Sequence, residues 1–377
     1  MHPTYSRTHP FLATITERYP LTKAGSSKET YHLVLNLRGS GIHYKPGDSI
    51  GIYPLNDPVI VSRILASLAA TGQEMVVTKT GEDCFFHQFL SSKANLHHCS
   101  RALLGTLIEG ISDIGRKAEL KKRLEPENKD ACKTYLEQRH VWDLLDELQT
   151  KISPQALTAL LMPLLPRFYS VASSMSAVGE EAHFTVALTE YESQGHQRLG
   201  VASHYLLHLA PLHEPVVPVY LQPSKDFTLP AQDNVAMIMV GPGTGVAPYR
   251  GFLQERMVRQ ALGKNWLFFG ECHRATDFFY EDYWVELETR GKLRLDVAFS
   301  RDQSEKIYVQ HRLLAHGEEI YRWLKEGAYF YICGDAENMA KAVDQTLHMI
   351  FQKGGCSEAA EAVKALRKEK RYLRDVY

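Results

Sequence analysis

Val235-Ala236-Met237-Ile238-Met239-Val240-Gly241-Pro242-Gly243-Thr244-Gly245 decides how the second half of this chain folds. A continuous apolar run with no polar alternate suits a strand buried on both faces, which is the habit of parallel sheets. The run stops on a glycine turn and leads into Pro248-Tyr249-Arg250-Gly251-Phe252-Leu253, where proline suits the first turn of a helix. Similar runs recur at Trp266 to Phe269, Leu293 to Phe299 and Tyr329 to Cys333, with helical stretches between them. Residues 233–377 therefore read as a doubly wound α/β domain with a parallel sheet. Backbone amides at the helix start could face a phosphate. The dinucleotide fingerprint itself is not met, because GxGxxG needs glycine at Val246 when counted from Gly241, or at Pro248 when counted from Gly243. A phosphate cradle and a tight structural connection are equally open for this turn.

Upstream the pattern differs. From Phe11 to Tyr53, short alternating runs such as Tyr31-His32-Leu33-Val34-Leu35-Asn36-Leu37 are broken by Gly39, Gly41 and Pro46-Gly47, which suggests an antiparallel barrel. From Pro58 to Leu165 the apolar spacing turns helical. Strand signals resume at Arg167 to Ser174, His183 to Tyr191 and Pro215 to Leu221. The expected layout is a β-barrel over 1–57 and 166–232, a helical connecting insertion over 58–165 and an α/β domain over 233–377, an α+β and α/β combination. Gly47-Asp48-Ser49-Ile50-Gly51 matches the GxSxG nucleophile elbow. An elbow needs a strand before it and a helix after it, whereas Pro46 precedes this one and Ile52-Tyr53-Pro54 follows, so a barrel turn is the better reading.

At 377 residues the chain has room for two or three domains. Its 43 basic and 44 acidic residues nearly cancel, which gives no sign of nucleic acid or an anionic membrane as partner. The six cysteines form no CxxC pair, so no structural metal site is expected. Scattered thiols, no apolar leader segment and no run long enough to span a bilayer point to a soluble cytoplasmic protein.

Four segments carry candidate chemistry. Ser300-Arg301-Asp302-Gln303-Ser304-Glu305-Lys306-Ile307-Tyr308-Val309-Gln310 follows a predicted strand at the edge where open α/β sheets place ligands. Arg301 offers a planar fork and Lys306 a point charge, a set that suits a phosphomonoester and hence NADP over NAD. Arg167-Phe168-Tyr169-Ser170 sets a cation, aromatics and a hydroxyl along one strand, and the chain closes on another aromatic, Tyr377. Together these suggest a planar cofactor with an anionic tail. Gly200-Val201-Ala202-Ser203 begins a short helix, with Ser203 as a candidate N-cap and a second anion position. Cys333, at the end of the last strong strand, is either a small buried hydrophobe or part of the wall where a nicotinamide rests.

These segments, in this order, resemble the FAD and NADPH module of the diflavin reductase family, most closely the flavoprotein type found in bacterial sulfite reductase. Lys264-Asn265-Trp266-Leu267-Phe268-Phe269-Gly270, Cys333 to Met339 and Arg371 to Tyr377 share the likeness, which covers essentially the whole chain. The resemblance implies FAD held where barrel and helical insertion meet, and NADPH on the C-terminal sheet. It assigns Arg167 to the pyrophosphate and places Phe168, Tyr169 and Ser170 on the FAD strand, with Ser170 near flavin N5. Thr185, Val186, Ala187 and Tyr191 become further FAD contacts, and Gly200, Val201, Ala202 and Ser203 the pyrophosphate turn. Thr244, Ser300, Arg301, Lys306, Tyr308 and Gln310 become NADP contacts. Ser170, Cys333 and Asp375 form the polar group around the hydride path, and Tyr377 shields the flavin.

Two departures accompany the likeness. The family carries an FMN domain ahead of this module, and this chain is expected to start at the connecting region without one. Ala342 stands where related proteins often have an acidic residue near the NADP position. The implied partner is a separate one-electron acceptor, whether flavodoxin, ferredoxin or a haemoprotein subunit. A ferredoxin-NADP reductase-like enzyme or general diaphorase unrelated to sulfite is the alternative, and a nucleotide-binding module without redox activity is a third.

Overall fold

The computed structural model describes residues 5–377. They form two compact units. One runs to Gly51 and resumes over Phe168–Ala187 and Pro211–Tyr377; the other comprises Ile52–Arg167 and Leu188–Ala210.

The first unit holds two sheets. Its antiparallel sheet has six strands in the order Arg167–Ser170, Ser49–Ile52, Pro215–Gln222, Phe11–Pro20, Thr30–Asn36 and Glu181–Ala187. The two outer strands meet where the Ala172 amide donates to the His183 carbonyl at 2.7 Å, which closes the sheet toward a barrel. Ser49 opens a strand here, and Gly51 lies flat because a Cβ would come within 2.5 Å of the Tyr220 ring. Close packing therefore accounts for the glycines of the GxSxG match.

The parallel sheet has five strands in the order Arg294–Phe299, Asn265–Glu271, Met237–Val240, Tyr329–Gly334 and Tyr372–Val376. Its inner strands bury both faces, as their unbroken apolar runs require. Ile238, Val240, Trp266, Phe268, Phe330 and Ile332 enter one core, while Met237, Met239, Leu267, Phe269, Tyr331 and Cys333 enter the other. The outermost strand, Tyr372–Val376, is not foreseen in the sequence, which shows only a basic run ending in an aromatic. It pairs Cys333 with Asp375 and Gly334 with Val376.

Side chains tie the two sheets of this unit together. Arg250, on the helix Ala247–Val258, donates to the Ala172 carbonyl at 2.7 Å, and Gln254 Oε1 accepts from the Ser174 amide at 2.9 Å. The Tyr280 hydroxyl lies 3.0 Å from His32 Nδ1 and 2.7 Å from Thr185 Oγ1, and His32 Nε2 lies 3.0 Å from His183 Nδ1. Burial drives the pKa of His32 down to about 2 and that of His183 to about 4, with the nearby Arg250 charge reinforcing both shifts. Both rings are therefore neutral members of a buried network.

The second unit is largely helical around a core that includes Val61, Phe86, Leu90, Leu103, Leu144 and Leu157. It also contains two short strand pairs, Met75–Val77 with Asp83–Phe85 and Ala94–Asn95 with Met162–Pro163. Helical spacing alone hid these. The expected insertion over 58–165 differs from this unit, which also takes in the hairpin Glu190–Ser193 and His196–Leu199. The reason is side-chain bonding. Arg198 donates from one nitrogen to both Asp143 oxygens at 2.8 and 2.9 Å, and Ser193 Oγ donates to the Gln138 carbonyl at 2.6 Å.

Candidate active site

Three side chains from distant parts of the chain meet at the carboxyl end of the parallel sheet. Ser170 Oγ donates to Asp375 Oδ2 at 2.6 Å, and the Cys333 thiol approaches the same oxygen at 3.8 Å. Cys333 is fully buried. Burial, and then the Asp375 charge, raises its pKa well above the ordinary thiol value, so the sulfur stays protonated and is no nucleophile. The glycine turn fixes where this strand end sits. A Cβ on Gly245 would fall 2.1 Å from the Cys333 carbonyl oxygen, and one on Gly241 would fall 2.5 Å from the Tyr249 ring. Gly241 and Gly245 therefore serve a tight connection, while Pro242 and Gly243 face the adjoining cleft. Next to the strand end the Tyr377 backbone is pinned by its amide donating to the Gly334 carbonyl at 3.1 Å. Its hydroxyl meets Thr244 Oγ1 at 2.7 Å, yet the residue stays 65% exposed.

Beside this lies a cleft of about 620 Å³ into which Ser300, Arg301, Lys306, Tyr308 and Gln310 all project. The loop that carries them is anchored from behind. Asp302 accepts from the Arg274 amide at 2.9 Å and meets His273 Nδ1 at 3.0 Å, and these contacts hold its carboxyl below the usual range. Arg301 and Lys306 remain exposed. Thr244 is placed with Tyr377 and not among the residues of this cleft. Ala342, where no contact was expected, does line it. So do Lys28 and Glu271, which sequence reading missed; Lys28 Nζ lies 3.0 Å from both Glu271 oxygens. Glu271 ends a buried strand at the ligand-bearing edge, a signal that could have found it. Lys28 has no such local signal. Glu271, Cys272 and Asp277 are close enough to share a cation, but the Lys28 ammonium already neutralises Glu271.

On the flavin-strand side, Phe168 is 53% exposed and Tyr169 sets its ring edge-on to Phe184 at 6.4 Å. The Thr185 and Tyr280 hydroxyls share a hydrogen bond and Val186 is buried, so the side chains of Thr185 and Val186 are committed inside the fold. Ala187 ends that strand, half-buried.

In the helical unit, Gly200 is the N-cap of the short helix Val201–His204. Ser203 is inside that helix and is not its N-cap, because the first helical bond runs from the His204 amide to the Gly200 carbonyl at 2.9 Å. Its hydroxyl instead accepts from the Thr189 amide and donates to the Gly200 carbonyl, both at 3.1 Å. Gly200 is needed for this fit, since a Cβ would sit 2.7 Å from Thr189 Cβ. Val201 lines a pocket of about 230 Å³ with His97, His140, Arg198 and His204. Ala202 is buried, and Arg167 is exposed with one nitrogen 3.3 Å from the Leu165 carbonyl. Tyr191 meets His140 Nε2 at 2.8 Å.

A polar strand in the antiparallel sheet, a cationic cleft at the carboxyl edge of the parallel sheet and a partly buried hydroxyl–carboxylate–thiol cluster beside that cleft are the parts that a flavin- and nicotinamide-dependent oxidoreductase needs. Residues 3–205 match the FAD binding domain family and residues 239–345 the oxidoreductase NAD-binding domain family, so the chain belongs to the FAD binding domain family. It is 44% identical over 377 residues to the sulfite reductase [NADPH] flavoprotein alpha-component of Vibrio cholerae serotype O1, covering 99% of this chain and 60% of that protein. The protein of the same description from Bacillus subtilis is 42% identical over 381 residues, covering 99% of this chain and 62% of the relative. The chain thus spans about 60% of the length of the curated relatives it matches. Among the described residues no helix is long and apolar enough to cross a membrane.

The donor sets suit the two groups. Exposed Arg301 and Lys306 are the donor types that suit a phosphate, and the half-buried, hydrogen-bonded Ser170–Asp375 pair is a fixed dipole of the kind that suits a reacting ring.

Proposed function

We propose that this chain carries reducing equivalents from NADPH through FAD to a separate one-electron carrier, in the manner of a sulfite reductase flavoprotein. The observation that carries the reading is the Ser170–Asp375–Cys333 cluster beside the Arg301 cleft, with Tyr377 held nearby by Thr244. FAD, when bound, supplies the ring atom that accepts hydride, two electrons and one proton, from the nicotinamide.

The chain's own residues bind, orient and tune. Arg301 and Lys306, with Ser300, Tyr308 and Gln310, hold the 2′-phosphate end of the dinucleotide, and Thr244 contributes at the turn. Asp375 offers its carboxylate where the nicotinamide becomes positive as hydride leaves, which lowers the barrier electrostatically. Ser170, bound to that carboxylate, keeps its hydroxyl aligned near the accepting nitrogen. Protonated Cys333 packs against the reacting carbon without competing for it. Arg167 and the Gly200–Ser203 turn take the FAD pyrophosphate, Phe168 and Tyr169 flank the cofactor, and Thr185, Val186 and Ala187 serve through their main chain. Tyr377 covers the ring and must leave it for nicotinamide to enter.

The carrier is a flavodoxin, a ferredoxin or a haemoprotein, and the cytoplasm is the proposed compartment. Anaerobic mixing with NADPH tests the central claim. The FAD-loaded chain should lose its visible flavin bands within seconds and then reduce a one-electron acceptor. A chain that takes up no FAD, or whose flavin bands persist under NADPH, would refute the reading.

A further inference from the structure

Among the buried polar side chains of the helical unit that have incomplete bonding, His140 and Arg198 stand together. His140 and Arg198 are 3% and 5% exposed, yet His140 Nδ1 and Arg198 Nε meet no partner. The rest of each is held firmly. The His140 ring packs against Trp142 with centroids 4.3 Å apart and against His97 at 4.6 Å. Its amide donates to Asp143 Oδ2 at 2.8 Å, and that carboxylate also receives Arg198. Arg198 in turn is the direct cross-strand neighbour of Tyr191.

Tyr191 is the one aromatic that this clamp presents outward. Its hydroxyl is fixed 2.8 Å from His140 Nε2, while the residue stays 41% exposed. A tyrosine on a two-stranded ribbon would otherwise be free to change rotamer. Tied at its far end, the ring keeps one plane and leaves a face open for stacking. The opposing strand runs through Leu199 directly into Gly200, so the platform adjoins the turn assigned above to a pyrophosphate. The cluster for the reacting ring, Ser170 with Asp375 and Cys333, belongs to the other unit. Of the two rings of FAD, the adenine is therefore the one left for Tyr191.

We propose that His140 is a positioning residue that holds the Tyr191 ring as the stacking platform for adenine, and thereby sets the preference for FAD over FMN. This rests on the reading of Tyr191 as an FAD contact. Burial, then the neighbouring His97 and Arg198, brings the His140 pKa down to about 3, so the imidazole acts as a neutral hydrogen-bond partner across the working pH range.

The test is calorimetric titration of the flavin-free full chain with FAD and with FMN, for wild type, His140→Leu, Tyr191→Phe and the double variant. Each single change should weaken FAD about three- to tenfold, the scale of one hydrogen bond, and leave FMN unchanged. The double variant should lose no more than either single one, and His140→Gln, which still reaches the hydroxyl, should recover part of the loss. Tyr191→Phe keeps the ring and removes only the tie, so it reads the proposal even if the histidine variant folds poorly. Equal losses for FAD and FMN, additive losses, or unchanged FAD binding would each overturn the proposal. A wild-type chain that takes no FAD would overturn the functional reading as well, whereas variants matching a wild type that binds FAD sink this proposal alone.

Discussion

The polar groups where the barrel joins the parallel sheet and those of the Arg301 cleft sit in one unit, but they are built on opposite plans. At the junction Ser170, Asp375, His32, His183, Tyr280 and Thr185 are paired with one another in advance. In the cleft Arg301 and Lys306 stand exposed, and only the loop behind them is anchored. Groups already ordered cost nothing to organise at the moment of reaction, whereas exposed charges are ordered by the ligand itself. The first plan should govern rate, and the second affinity.

Changing Asp375 is the strongest way to break this contrast. Asp375→Ala should slow reduction of bound FAD by NADPH about 10²- to 10³-fold in stopped flow while dinucleotide affinity holds. A loss confined to affinity would erase the distinction.

Acid should probe the paired region next. His183 has a pKa of about 4 in the fold against 6.5 for an ordinary histidine, because burial and then Arg250 disfavour its charged form. The unfolded chain therefore binds the extra proton first as pH drops. The stabilisation is intact above pH 6.5 and is lost progressively toward pH 4, about 3 kcal/mol from this residue alone. Thermal melts from pH 7.5 to 4.5 should show the fall, and His183→Gln should make it shallower by one histidine's share, because the neutral His32 and His140 lose stability over the same range. A variant with the wild-type slope would remove His183 from the account.

Arg301→Ala sharpens the other side. It should raise the KM for NADPH about ten- to hundredfold and leave NADH nearly untouched, as expected when one charged contact to a phosphate is lost. Equal effects on both dinucleotides would deny Arg301 its 2′-phosphate. The smallest expected effect belongs to Glu271→Gln, which frees the Lys28 ammonium toward the cleft and should tighten NADPH about two- to threefold at low salt. Weaker binding would mean that the pair positions the cleft instead of restraining it.

Much of the fold was legible because it rests on local pattern. The inner parallel strands announced themselves as apolar runs, and the Ser300–Gln310 loop followed from its place after one of them. Tyr372–Val376 was hidden because an edge strand needs only one buried neighbour, so exposed Arg374 interrupts its apolar signal. The Glu190–Leu199 hairpin falls within the range 166–232 expected of the barrel, while long-range bonds to Asp143 and Gln138 hold it to the helices. The Ser170–Asp375 pair spans 205 positions and Lys28–Glu271 spans 243. No local pattern could join either, and the first was reached through family likeness alone.

Gly245 works as a spacer of zero thickness. With a Cβ destined to fall 2.1 Å from the Cys333 carbonyl, even alanine would have to push the strand end away by more than about 1 Å to reach normal contact. A displacement of that size exceeds the tolerance of a reacting pair and can cost about a hundredfold in rate. A residue with no side chain and no chemistry would then register in kinetics as though it were part of the reaction, so the mechanical tolerance of the centre can be measured one methyl group at a time.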